Sequence, residues 1–333
     1  MKKIAVYSFI ALLAANTSGA LAQGNLGQAG ANFLQIGVEP RGAALGGAVS
    51  AISEGAAALY WNPAGIISSR NIDLYLANTN WCLDTRLFYG GITKKLGGAG
   101  VVGLAVTSFY MDPMEITTEY ASEGNGQYYD AGDLAVGFSF ARSLTDRFTF
   151  GITAKFVREY IWHEEASQLA FDVGSVYRTD FYNLRLGMVV RNFAGKLRFS
   201  GEDLEQRIAD EEAHNQPQNP RIERLTPDFR LPQVFQMGIA FDPLLSDMSR
   251  LTLLADVDVP SDNEQRLILG AEYGFKQLAY LRAAYRLNDD VGDFSIGGGL
   301  NLTAGGLDAI LDYSYSGQGA LGNMHRFGFG FSL

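Results

Sequence analysis

The sequence predicts an all-β fold, a transmembrane antiparallel β-barrel of about fourteen strands. Three features point to it. The chain opens with an export signal, period-two alternation runs from residue 72 to the end, and short and long connections alternate.

The export signal comes first. Met1-Lys2-Lys3 is a basic start, an apolar run follows from Ile4 to about Ala15, and Ala20-Leu21-Ala22 has the small-x-small form that a signal peptidase cuts. Residues 1–22 therefore read as a cleaved signal peptide. The run is too short to span about 30 Å of hydrocarbon, which argues against a membrane anchor. No cysteine stands at the cut for lipid attachment, and Cys82, the single cysteine, excludes an internal disulfide. The expected location is the cell outer membrane, with its lipid as the first partner.

Composition agrees. Glycine is abundant at 39 residues, with 21 Phe and 16 Tyr, while charged residues make up only 19 %. Such a balance suits strands better than helices. The net charge of -10 argues against a nucleic-acid partner, which calls for a basic surface.

Residues 23–70 are rich in Gly and Ala with no clear period, as in Gly42-Ala43-Ala44-Leu45-Gly46-Gly47-Ala48. Such a stretch is a poor free-standing domain but can pack inside a larger one. Residues 71–333 form the expected barrel. In 147–162 one face carries Phe148, Phe150, Ile152, Ala154 and Phe156, and the other Thr149, Gly151, Thr153, Lys155 and Glu159. Strands are expected at 72–80, 86–94, 100–110, 131–142, 146–161, 167–178, 183–192, 232–242, 249–258, 264–274, 277–286, 292–302, 305–316 and 323–333. The even-numbered connections are short. The two long ones, 111–130 and 193–231, are the third and seventh, as expected of short periplasmic turns and longer outer loops.

A periplasmic β-sandwich would alternate too, but its second face would carry far more Lys and Glu. Here that face holds Gly, Ala, Ser, Thr and isolated charges such as Arg185 and Arg191. A spanning sheet must close, because lipid offers the backbone no partners. Tyr89, Phe109, Tyr110, Tyr160, Trp162, Tyr177, Phe241, Tyr273, Tyr313 and Tyr315 near strand ends suit interfacial girdles.

The block Phe33-Leu34-Gln35-Ile36-Gly37, Arg41-Gly42-Ala43-Ala44-Leu45-Gly46-Gly47-Ala48 and Tyr60-Trp61-Asn62-Pro63-Ala64-Gly65 resembles the N-terminal block of the PorV/PorQ family, within the wider FadL-like group. The resemblance implies a fourteen-stranded barrel with an N-terminal hatch folded into the lumen. It implies a non-enzymatic outer-membrane protein, with secretion-system components or exported proteins as partners in type IX-like secretion or surface attachment. The alternative is a FadL-like channel for hydrophobic small molecules, such as long-chain fatty acids or hydrocarbons.

The hatch motif comprises Arg41, Gly46, Gly47, Asn62, Pro63, Ala64 and Gly65. Asn62-Pro63 initiates a turn and Gly65 permits positive φ, with gating as a further role. Arg41 is expected to face a polar lumen and pair with Glu54, Asp256 or Asp308. Residues 201–213 could form a short surface helix in the longest outer loop. No catalytic or cofactor site is expected. Asp256, Asp258 and Asp262 lack calcium-loop spacing, His163, His214 and His325 are scattered, and no Gly-x-Ser-x-Gly elbow occurs.

Overall fold

A computed structural model describes residues 27–207, 221–288, 292, 294–304, 306–319 and 322–333. The expected signal peptide lies outside these residues, as do His214 and residues 208–213 of the stretch read as a possible surface helix.

Fourteen long strands form the wall. They are β1 (Ile72–Asn80), β2 (Arg86–Lys95), β3 (Val101–Tyr110), β4 (Ala131–Ser143), β5 (Phe148–Ile161), β6 (Glu164–Arg178) and β7 (Arg185–Ala194), then β8 (Val234–Leu245), β9 (Ser249–Pro260), β10 (Arg266–Phe275), β11 (Ala279–Leu287), β12 (Phe294–Ala304), β13 (Leu307–Gly317) and β14 (Asn323–Ser332). Each pairs antiparallel with its neighbours in the chain. β1 also pairs with β14, from Asp73↔Ser332 to Asn80↔His325, so the sheet closes with no free edge. The expected strand number and order are both found. No helix among the described residues is long and apolar enough to cross a membrane.

Alternation sets the two faces. On β5, Phe150, Ile152 and Phe156 are exposed, whereas Thr149, Gly151, Thr153 and Val157 are buried. The outward set meets lipid and the inward set meets the lumen. Tyr177, Phe241, Tyr273 and Tyr313 stand outward, as girdle residues should. Tyr89 and Phe109 do not. Tyr89 is fully buried and donates to the Ala56 carbonyl, and Phe109 packs on the interior cluster. Both fall on inward positions of their strands, so parity overrides the preference of aromatics for the interface.

Two irregularities have local causes. Between β6 and β7, Arg191 and Asn192 together stand opposite Asp172, a bulge with Asn192 at φ 59°. Asparagine tolerates this left-handed conformation, and the bulge turns two successive side chains inward. In β8 the register slips between Phe241 and Leu244, around Pro243, which has no N–H to offer a ladder. Asp242, at the slip, is buried and accepts from Arg185, Asn183, Arg250 and Thr252.

The even-numbered connections, all short, lie at one end with the start of β1 and the end of β14. The odd-numbered ones, the long 111–130 and 195–233 among them, lie at the other end, named the outer end by the rule that long loops of such barrels face outside. In the longer loop, Lys196–Leu197 pairs with Phe229–Arg230 and Glu205–Arg207 with Arg221–Glu223. Glu202–Leu204 is a single 3₁₀ turn leading into extended chain. The described part of the expected surface helix thus holds one 3₁₀ turn and no α-helix.

Candidate functional site

The inner segment, residues 27–71, packs against the inward faces of the wall. Its lower part is built from two short helices, α1 (Pro40–Ala44) and α2 (Ala58–Trp61), joined by 3₁₀ turns. Pro40 opens α1 where a missing N–H does no harm. The Glu39 carboxylate caps α1, accepting from the Arg41 and Gly42 amides, and also accepts from the Trp61 indole. Gly46 and Gly47 follow at φ 64° and 94°, conformations that reverse the chain after α1. Asn62 is fully buried. Its Oδ1 caps the next turn at the Ala64 amide, and its Nδ2 donates to the Ser50 and Ser175 carbonyls. Gly65 does not adopt positive φ. It is small because a Cβ there would meet the Ser53 carbonyl at 2.2 Å.

The wall makes room for this segment with glycines. A Cβ on Gly151 would come within 2.4 Å of the Pro63 carbonyl carbon. One on Gly174 would meet Asn62, on Gly187 the Ser50 carbonyl, and on Gly297 Ala44, all at 2.5 Å or less. Backbone meets backbone on several sides of the barrel.

Arg41 anchors the base. It forms a bidentate pair with Glu272 at 2.9 Å, and Glu54 lies at 3.9 Å. Glu272 also accepts from Arg282, which pairs with Asp312, and Tyr75 donates to Asp312. Of the expected partners, only Glu54 approaches Arg41. Asp256 instead accepts from the Ser50 amide and Gln236, and Asp308 pairs with Arg70. The signal for Glu272 was available in its place on the polar face of β10, but pairing across 231 residues cannot be read from spacing.

The lumen is divided. On β7 to β14 the inward residues are mostly polar or charged, including Arg191, Gln236, Asp256, Glu272, Arg282, Asp312 and Arg326. Arg191 lies over the rings of Tyr60 and Trp61 at 5.6 and 5.5 Å. In the outer half of β1 to β6 the inward set includes Ala77, Leu87, Tyr89, Ala135, Val157, Ala166 and Ala170, beside Thr79, Asp133 and Glu159. Phe33 and Leu34 of the inner segment and Leu197 and Leu231 of the outer loop complete this cluster, with the Phe199 and Phe229 rings tilted against each other at 5.6 Å beside it. To the expected face of Gly, Ala, Ser, Thr and isolated charges the structure thus adds the larger apolar side chains Leu87, Tyr89 and Val157.

The outer loop is held as a cap by Arg198, which donates to Asp228 at 2.7 Å, with Lys196 at 3.4 Å. Those hydrogen bonds, Arg198 first, hold the Asp228 carboxyl below its ordinary value. At the opposite end a vestibule of about 600 Å³ is lined by charged residues including Arg41, Glu54, Arg70 and Arg282. On the lipid side an apolar groove of about 850 Å³ lies over Gly298 between Leu281 and Tyr313. No group of His, Cys, Asp or Glu suited to a metal ion occurs among the described residues.

No family model matches the chain, and no curated protein matches it. Solved structures do. The chain is similar to the toluene transporter TbuX of Ralstonia pickettii, at 13 % identity and a TM-score of 0.56, covering 89 % of this chain and 97 % of that one. It is similar to the CymD monoaromatic hydrocarbon channel, at 14 % and 0.55, over 89 % and 97 %. It is also similar to the toluene transporter TodX of Pseudomonas putida, at 13 % and 0.54, over 89 % and 96 %. The fold is that of FadL-like outer-membrane barrels.

Proposed function

We propose that this chain is an outer-membrane channel that admits hydrophobic small molecules, of the size and kind of monoaromatic hydrocarbons. The observation that carries this is the cluster of apolar side chains packed in the outer half of the lumen on β1 to β6, continuous with Phe199 and Phe229 of the cap. Lipid contact demands apolar residues outside a barrel, not within it. An inward apolar face beneath an outer loop is what a water-insoluble solute needs on leaving the outside medium. The polar half and the charged base oppose its direct passage to the periplasm. The toluene and monoaromatic channels of the same fold support the reading. In it the N-terminal motif is structural: Arg41, Asn62, Pro63, Ala64 and Gly65 hold the inner segment in place, and no residue is assigned a catalytic role.

Uptake of radiolabelled toluene by cells lacking their own hydrocarbon channels tests the proposal. Expression of this chain should raise the initial rate, and Leu87→Asp, placing a charge in the apolar lining, should abolish the gain while the barrel still assembles. Uptake equal to that of empty cells, with the protein present in the outer membrane, sinks it.

A second reading is favoured by the packed inner segment and the folded cap. It is the surface role in protein export that the PorV/PorQ resemblance implies. Its test is mild detergent extraction: secretion or surface-attachment proteins should then co-purify with the barrel.

A further inference from the structure

We propose that the end of the barrel with the short turns carries a collar for anionic phospholipid head groups, built from Lys94, Arg142 and Lys276 on the lipid side and from the apolar tips of the turns. The collar concerns how the ring is held in its leaflet and is independent of what the lumen admits.

The three cations share one arrangement. On β2, Lys94 follows Phe88 and Ile92 on the outward face, and on β4, Arg142 follows Phe138 and Phe140. Lys276 opens the turn after β10, with its ammonium 5.5 Å from the ring centre of the outward Phe275. Each has an apolar neighbour along which its stem can lie while the charge reaches the head groups. None has a carboxylate partner among the described residues, and Lys94 donates only to the Asn71 side chain, at 2.8 Å.

The other charges at this rim do not cancel them. Arg70 is paired with Asp308 and Arg147 with Asp180. Two acids, Asp146 and Asp247, are unpaired, but so are Lys95 and Arg178 beside the same turns. The opposite end has the other sign: the outer connection 111–130 carries Asp112, Glu115, Glu119, Glu123 and Asp130 and no Lys or Arg. A zwitterionic head group brings an ammonium of its own beside its phosphate. Unpaired side-chain cations therefore favour a head group whose phosphate is bare.

The turns supply the second element. Five of the six even-numbered connections present large apolar side chains, Leu96, Leu144, Phe181 with Tyr182, Met248 and Leu278, which are between 46 and 60 % exposed. The sixth is a pair of glycines. Such side chains at the tips of short turns gain by leaving water, and the head-group layer beside the cations is where they can do so.

The full-length protein reconstituted in vesicles of equal parts phosphatidylglycerol and phosphatidylethanolamine tests the collar. After mild detergent extraction, mass spectrometry of the co-purified lipid should find phosphatidylglycerol enriched at least about threefold over the bulk. The enrichment should fall towards the bulk ratio in about 0.5 M salt. Bulk composition in the parent, or enrichment that salt leaves untouched, overturns the proposal without any variant. Lys94→Gln, Arg142→Gln and Lys276→Gln together should remove the enrichment, and Lys94→Arg with Lys276→Arg should keep it. Full enrichment in the triple variant, with strand content unchanged by circular dichroism, assigns the lipid to another surface and overturns the collar. For the turns, Leu144→Cys in a Cys82→Ser background takes an environment-sensitive fluorophore. Its emission in the vesicles should be shifted to the blue of the same label at Ser122→Cys in the outer loop. Equal, water-like emission at both would leave the turns clear of the membrane and free for a protein partner, and overturns their part.

Discussion

Arg41 shows how one side chain of the inner segment is tied to the wall. Its guanidinium and the Glu272 carboxylate are both mostly buried, and Arg282 and Asp312 share the same network. Burying such charges is unfavourable, and their attraction roughly offsets that; breaking the set on one side is what destabilises. Arg41→Met should therefore loosen the inner segment by about 1–3 kcal/mol, because Glu272 loses one of its two arginine partners and keeps Arg282. Arg41→Met combined with Glu272→Met should recover much of that loss. Chemical denaturation in micelles, followed through Trp61 fluorescence in a Trp81→Phe, Trp162→Phe background, measures both. Equal destabilisation by the single and double variants would mean that Arg41 acts through packing of its stem and not through its charge.

At the scale of the element, the outer cap depends on a carboxyl whose proton affinity is lowered. Asp228 accepts from Arg198 and Lys196, so its contribution is fully present above the ordinary value of 3.8 and disappears as pH falls below that through the lowered value. Pepsin digestion of the micelle-bound protein between about pH 5 and 2 should find the loop protected at the upper end and cut at the lower. Asp228→Asn should be cut throughout, and an Asn variant as resistant as the parent would remove the carboxyl from the account. The strands themselves were largely legible in the sequence, since period two is a local property and each expected strand lies within three residues of the observed one. What was not legible depends on which strands face each other across the lumen. Tyr89 looked like a girdle residue until its parity placed it inside, and Glu272 was one of many acids until closure brought it to Arg41. Asn62 and Gly65 were readable as turn residues. Their burial against Ser175 and Ser53 was not, because the partners come from folding and not from neighbours in sequence.

For the whole molecule, the charged vestibule, the packed inner segment and the outer loop stand in series along one axis, with apolar side chains packed in the outer part of the lumen and spread over the lipid side. The outer rim is also where the described chain begins, since Gly27 and Gly30 are bonded to the rim turn and the cap. A Gln28→Cys variant in the Cys82→Ser background should then react with a membrane-impermeant maleimide on intact cells. Labelling only after the outer membrane is breached would invert the orientation assigned to the barrel.

The seam between β1 and β14 carries a consequence for manufacture. Ile72 and Leu333 exchange backbone bonds, so the earliest stave of the ring is completed by the last residues of the chain. Meanwhile Gly151, Gly174, Gly187 and Gly297 press so closely on the enclosed residues that these cannot be threaded into a finished ring. The staves must be laid around their contents, and the ring sealed last. A chain truncated before β14 should leave an unsealed sheet with its interior exposed to protease, however well its other thirteen staves are made.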